Sequence, residues 1–359
     1  MMRQYQNILV TGGAGFVGSN LALWLKRQYS GAQVIALDNL KRRGSEATLP
    51  RLRAGGVEFL HGDVRALEDL RLDAHHIDLL IECSAEPSVL AGYGEAPDYL
   101  LNTNLIGAIN CMNLARRCAA DVIFLSTSRV YPIATLNKLR LLEEPTRFRL
   151  DAQQSIPGAS ERGISELFPL EGARSMYGAT KLCSELLIQE YGEMYGVRTI
   201  INRCGVLTGP WQMGKVDQGV FTLWVAMHYF ERELQYIGWG GQGKQVRDLL
   251  HIDDLIDLLA IEMARFDDLH GQTYNVGGGV ASSLSLLETT RLCQQITGKT
   301  IPVTAVDSNR PADMALYITD SSRISELTGW RPQRTPEQTL RSIYEWIVAE
   351  EPTVRHIWA

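Results

Sequence analysis

In the first part of the chain, apolar positions fall into short continuous runs, and between the runs they recur every three or four residues. The runs at 7–10, 33–37, 57–61, 79–82, 121–125 and 198–203 are rich in Val, Ile and Leu and predict strands buried on both faces. Segments at 21–28, 102–117 and 176–195 carry the helical period. Strands alternating with helices predict an α/β fold with a doubly wound parallel sheet of the Rossmann kind. After Arg203 the pattern loosens, with helices expected at 253–264 and 284–296 and strands at 272–276 and 301–306. The expected organisation is a first domain over 1–205, with 248–265 returning to it, and a smaller C-terminal α/β substrate domain over 206–359. Between 131 and 175 the rhythm breaks into a charged, proline-bearing stretch in which Lys138, Arg140, Arg147 and Arg149 stand among Glu143, Glu144 and Asp151. Loops of that length are usually functional or disordered, and this one is expected to be an ordered flap beside the active site.

The first apolar run breaks directly into glycines, reading VTGGAGFVG over 10–18, with a helix expected to begin near Ser19. A β-branched strand, a glycine turn and a helix can hold a dinucleotide pyrophosphate on the helix N-terminus. Gly12, Gly15 and Gly18 give GxxGxxG, whereas Gly13, Gly15 and Gly18 give GxGxxG, and a plain strand-turn-helix also favours glycine. The next run ends in Asp38, 20 residues after Gly18. A carboxylate there can take both ribose hydroxyls and repels the extra phosphate of NADP, so NAD is the expected cofactor. Lys41, Arg42 and Arg43 argue the other way, since cations nearby could accept that phosphate.

Composition narrows the field. A chain of 359 residues with 45% hydrophobic content can bury a large core, and its formal charge of −6 argues against sequence-independent nucleic-acid binding. No apolar stretch approaches about 18 uninterrupted residues and no cleavable signal is visible, so no membrane partner and a cytoplasmic location are expected. Six cysteines without CxxC spacing are expected as free thiols, and seven histidines without HExxH give no metal site. Neither a Walker lysine nor GxSxG is present.

Tyr177 and Lys181, in SMYGATK, are one helical turn apart and so emerge on one helix face. An ammonium beside a phenol stabilises the phenolate, which makes Tyr177 a candidate base near neutral pH. The run at 121–125 leads into Ser126, Thr127 and Ser128, hydroxyls at the carboxyl end of a parallel strand, where ligands bind. YxxxK also arises by chance in helices, and a hydroxyl cluster can be a plain polar turn.

Taken together, these motifs resemble the extended short-chain dehydrogenase/reductase superfamily in its nucleotide-sugar epimerase and dehydratase branch. TGGAGFVG, Asp38-Asn39-Leu40, Gly62-Asp63-Val64, Asn104 to Gly107, the Ser/Thr cluster before Val130-Tyr131, YxxxK and Arg247-Asp248 occur in the family's order along nearly the whole chain. The resemblance implies that Gly12, Gly15 and Gly18, with Phe16 and Val17, hold the pyrophosphate and that Asp38 and Asn39 hold the adenosine ribose. Asp63 and Val64 would edge the adenine, Ser84 and Ala85 would line the path to the nicotinamide ribose, and Asn104 resembles the family's active-site asparagine. Tyr177, Lys181 and Thr127 would be catalytic, Tyr177, Lys181 and Asn104 would also contact NAD, and Arg129, Arg247 and Arg310 would bind the sugar nucleotide. A homodimer is the family's expectation.

Within the branch, the 4,6-dehydratases carry an Asp-Glu pair directly after the catalytic Thr, whereas this chain has Ser128 and Arg129. Elimination of the sugar's 6-hydroxyl thereby loses its acid and base. The segments at 209–224, GQGKQVRDLLHIDDL and YNVGGGVASSLSLLE are similar to those of the CDP-tyvelose (CDP-paratose) 2-epimerases, which also lengthen the stretch before YxxxK. C2 epimerisation of a CDP-sugar is therefore expected, with a 4-epimerase as the rival. A non-catalytic NAD-binding regulator, or a net dehydrogenase or decarboxylase, are further alternatives. Pro132 in place of the usual glycine after Val-Tyr, and Gly205 to Pro210 in place of Asn-x-Tyr-Gly-Pro, depart from the pattern around the sugar.

Overall fold

A computed structural model describes residues 5–215 and 218–358, so Val216 and Asp217 of the 209–224 segment lie outside the described residues. The chain divides into two compact units: one holds the chain up to Thr127, Met176–Arg203 and Ile256–Tyr274, and the other holds Ser128–Ser175, Cys204–Leu255 and everything from Asn275 onward. This division differs from the expected first domain over 1–205 with 248–265 returning, because Ser128–Ser175 falls in the second unit and the returning stretch is Ile256–Tyr274.

The first unit is built on a seven-stranded sheet in the order Gln272–Val276, Thr199–Cys204, Asp121–Thr127, Leu79–Glu82, Asn7–Thr11, Gln33–Asp38, Glu58–His61. The pairings from Asp121–Thr127 across to Glu58–His61 are all parallel. Strand order reverses between Asn7–Thr11 and Leu79–Glu82, so the fold is a doubly wound Rossmann sheet with its switch point at the glycine strand. Leu9, Leu80, Val122 and Phe124 form one buried face with Cys111, Leu114, Ala115 and Ile188 from the helices Gly107–Cys118 and Met176–Tyr195. Each such aliphatic side chain contributes about 1.5–3 kcal/mol on burial.

One buried acid in this unit makes stability depend on pH. Glu262 is fully buried, and its Oε2 accepts from Asn202 Nδ2 at 2.8 Å. Burial pushes its carboxyl from the ordinary 4.5 up to about 8, against the opposing amide hydrogen bond. The folded chain holds this proton where the unfolded chain has released it. The contribution is therefore complete below the unfolded value and is lost as pH rises through the folded one, at up to about 1.4 kcal/mol per pH unit. Glu262→Gln is expected to flatten that decline in urea unfolding between pH 5 and pH 8; an unchanged slope would show that the acid is ionised in the fold.

In the second unit Val246–His251 pairs with Val206–Thr208, Ser283–Ser285 and Leu316–Tyr317, while Leu234–Ile237 pairs with Val303–Val306. The 131–175 stretch is ordered here. Leu141–Glu143 and Phe148–Leu150 form an antiparallel hairpin, and Phe148 N–H donates to Lys244 O at 3.0 Å. The Arg147 guanidinium donates to Glu288, whose carboxylate also caps the helix Leu286–Thr297 through a capping box with Ser285. Ile164 N–H donates to Ile318 O at 2.8 Å, and Tyr131 Oη donates to Asn275 Oδ1 at 2.8 Å.

Candidate active site

The glycine turn leaves no room for side chains. Gly12 has φ +62°, the left-handed region that favours glycine, and a Cβ there would stand 2.9 Å from Cys83 O. A Cβ on Gly18 would stand 2.2 Å from Gly12 O. The helix begins at Phe16, earlier than the sequence suggested, because Gly18 lies inside its first turns to admit that carbonyl. Its N-cap is Gly15, with no side-chain cap and no acid in the first turn, so the end of the dipole faces outward with its amides uncapped. That cradle fits a dinucleotide pyrophosphate.

Asp38 closes the neighbouring strand and accepts from Ala14 N–H at 3.1 Å and Leu40 N–H at 2.8 Å. Burial raises its pKa, while these backbone donors oppose the rise. Asn39 Nδ2 donates to Asp63 Oδ2 at 2.9 Å, and Arg65 pairs with the same carboxylate at 2.6 Å. Although partial burial alone would raise it, Arg65 and Asn39 hold Asp63 at about 2. Val64 is buried behind it. Lys41, which argued for NADP, lies over the Tyr99 ring at 3.7 Å from its centroid.

At the carboxyl ends of the central strands stand Thr127 and, from the helix Met176–Tyr195, the ammonium of Lys181. Thr127 ends Asp121–Thr127 and is buried, and Ser126 Oγ donates to Glu185 on the helix Met176–Tyr195. Glu185 also takes Arg203 at 2.7 Å, and both are buried. On the same helix Tyr177 is half-buried, and Lys181 is only 2% exposed. The Lys181 ammonium lies 3.9 Å from the Phe124 ring centroid and 3.6 Å from Glu82 Oε2.

Asn104 lies in a π-helical turn, Asn102–Ile106, of the kind found at functional sites. Its amide is used within the fold: Oδ1 accepts from Glu86 N–H at 2.8 Å, and Nδ2 donates to Glu86 O and to Thr180 Oγ1. Thr180 in turn donates to Tyr177 O at 2.8 Å, so Asn104 ties the loop carrying Ser84 and Ala85 to the tyrosine's helix.

In the second unit the three arginines converge on one loop. Arg129 Nη1 donates to Ala312 O at 3.2 Å; Arg247 Nη2 donates to Met314 O at 2.8 Å and to Asp313 Oδ1 at 3.2 Å. Arg310 begins that loop and accepts from Asp313 N–H through its carbonyl. Glu82, Glu185, Arg203 and Asp313 carry no local signal as partners, except that Glu82 is an acid closing an otherwise apolar strand.

A glycine turn at an uncapped helix N-terminus, a carboxylate closing the next strand and a tyrosine and lysine one helical turn apart thus stand in one Rossmann unit. Residues 8–277 match the model of the NAD dependent epimerase/dehydratase family, and the chain belongs to that family. Its cofactor is NAD, as expected from Asp38. The chain is 28% identical over 352 residues to CDP-paratose 2-epimerase of Salmonella typhi, a match covering 94% of this chain and 98% of that protein. It is 29% identical over 350 residues to UDP-glucose 4-epimerase of Halalkalibacterium halodurans, covering 93% and 92%. Among solved structures, UDP-glucose 4-epimerase of Thermotoga maritima with UDP-glucose matches with a TM-score of 0.78 at 23% identity, covering 96% of this chain and all of that one.

Proposed function

We propose that this enzyme epimerises a nucleotide-diphosphate sugar by transient oxidation to a keto-sugar, acting at C2 of a CDP-sugar of the paratose/tyvelose type. The observation that carries the reading is the half-buried Tyr177 one helical turn from the buried Lys181 ammonium, on the helix packed against the strand that ends in Thr127. Tyr177, as phenolate, takes the proton from a sugar hydroxyl; Lys181 stabilises the phenolate and Thr127 hydrogen-bonds the oxygen on which charge shifts. Gly12, Gly15, Phe16, Val17, Asp38, Asn39, Asp63, Val64, Ser84, Ala85, Asn104, Tyr177 and Lys181 would hold NAD, which would supply reversible hydride transfer when bound. Arg247 and Arg310 would hold the diphosphate, since guanidinium forks suit phosphate oxygens, and Arg129 would bind the substrate beside them.

Ser128 and Arg129 support epimerisation over dehydration, because neither supplies an acid-base pair. The likeness to a CDP-paratose 2-epimerase over nearly the full length of both chains supports the carbon and the base. The test is incubation with CDP-, UDP-, GDP- and dTDP-sugars without added NAD, followed by NMR of the ring protons. Inversion at C2 of a CDP-sugar is expected; inversion at C4 alone would make the chain a 4-epimerase, and no inversion at all would remove the reading.

The helix Met176–Tyr195 exposes Leu186, Leu187, Met194 and Tyr195, an apolar row that supports pairing of two chains through this helix. Sedimentation equilibrium should give a dimer mass. Among the described residues no helix is long and apolar enough to cross a membrane. The six cysteines are free thiols, which supports a reducing, cytoplasmic compartment.

A further inference from the structure

The mechanism leaves unassigned a buried acid that touches its lysine. Glu82 ends a strand that is otherwise apolar, and its register partners are Thr11 on one side and Phe124 on the other. It therefore stands at the switch point of the sheet, where open α/β folds take their ligands. It is 2% exposed, and among the described residues its Oε2 has no hydrogen-bond donor; the ammonium of Lys181 faces that oxygen at 3.6 Å. Burial raises its pKa, while the Lys181 charge and the Ser84 N–H oppose the rise. A buried carboxylate is costly, and a leucine would continue the packing of Leu79 to Ile81 at no such cost. The acid must therefore be accounted for by what it faces.

We propose that Glu82 is a positioning residue for the catalytic pair: it anchors the Lys181 ammonium at the carboxyl end of the sheet and, as its counter-charge, limits how strongly that ammonium draws the proton off Tyr177. This rests on the roles proposed above for Tyr177 and Lys181. Among the described residues, the ionisable groups near the pair include Cys111 of Gly107–Cys118, Cys83 next to Glu82, and Tyr177 and Glu185 on Lys181's own helix, with Glu185 held by Arg203 of Thr199–Cys204. Thr11 and Phe124, on the flanking strands, bring no charge, and Glu86 lies beyond the strand in the loop tied to Asn104. An anion so close to a cation, away from water, cancels much of the field that the cation exerts on a phenol farther off. Glu82→Gln keeps the shape and removes the anion, leaving the ammonium to act on Tyr177 alone.

The test is an ultraviolet titration of phenolate in wild type and in Glu82→Gln, each measured against the same protein carrying Tyr177→Phe, together with the pH dependence of kcat/KM. The Tyr177 titration and the acidic limb of the profile are both expected to move down by about one pH unit in Glu82→Gln, and Glu82→Asp, which restores the charge, to move them back toward wild type. If Glu82→Gln does not fold, Glu82→Asp against wild type serves: its carboxylate is withdrawn by one methylene, and a smaller downward shift is expected. A titration that stays put in the folded variant would overturn the proposal, since a merely structural acid changes stability and leaves the phenol alone. The titration needs no substrate, so a failure of the epimerase reading and a failure of this one are read separately.

Discussion

Tyr177→Phe will fold and bind NAD, and it will lose turnover by about 10²–10⁴-fold. The substitution removes one oxygen from a half-buried position and leaves the packed face of its helix as it was. The glycine turn and the strand ending in Asp38, which are proposed to hold most of NAD, lie in other elements, so NAD affinity by calorimetry should stay close to wild type. The catalytic loss follows because Phe can neither take nor return the hydroxyl proton, and the structure shows Lys181 committed to Glu82 and Phe124. Wild-type turnover in the variant would remove Tyr177 from the chemistry.

A second large effect falls on stability. Arg203→Leu should cost about 3–5 kcal/mol, because it strands a buried carboxylate. Glu185 is 1% exposed and accepts both Arg203 Nε, at 3.0 Å, and Nη2, at 2.7 Å; the Ser126 hydroxyl also donates to it. Replacing both charges together, as in Arg203→Leu with Glu185→Leu, should recover much of the loss, since the uncompensated charge is then gone. Urea unfolding of the three variants would decide it. A single-variant cost below about 1 kcal/mol, the range of an exposed pair, would show that Glu185 reaches water. Ser126 precedes Thr127 and Glu185 follows Lys181 by one turn, so this pair also fixes the spacing between strand end and helix on which the chemistry depends.

The first unit was largely legible in the sequence because parallel strands buried on both faces must be apolar runs. All seven strands of its sheet lie within two residues of the positions read from the sequence. The start of the first helix was misplaced because a glycine inside a helix reads as loop, and only the contact between Gly18 and the Gly12 carbonyl explains it. Val246–His251 was missed as a strand because Arg247 and Asp248 interrupt its apolar pattern. Tyr177 and Lys181 are legible as candidates because their spacing is local, and Thr127 because it ends an apolar run. Glu82, Glu185 and Arg203 are not, since each acquires its partner only when distant elements pack together. The three arginines were read singly, and their meeting on the loop of Arg310 to Met314 is a fact of tertiary structure.

The division of the chain bears on how the protein is made. The last strand of the seven-stranded sheet is Gln272–Val276, and the first unit draws on three separate stretches of sequence. A ribosome must therefore have released more than two-thirds of the chain before that sheet can close. Until then the strand Thr199–Cys204 lacks its outer neighbour, leaving an unpaired edge open to the wrong partner. Chaperone demand during synthesis should be set by that waiting period, and a premature stop anywhere before residue 272 would leave the sheet permanently open at its Thr199–Cys204 side.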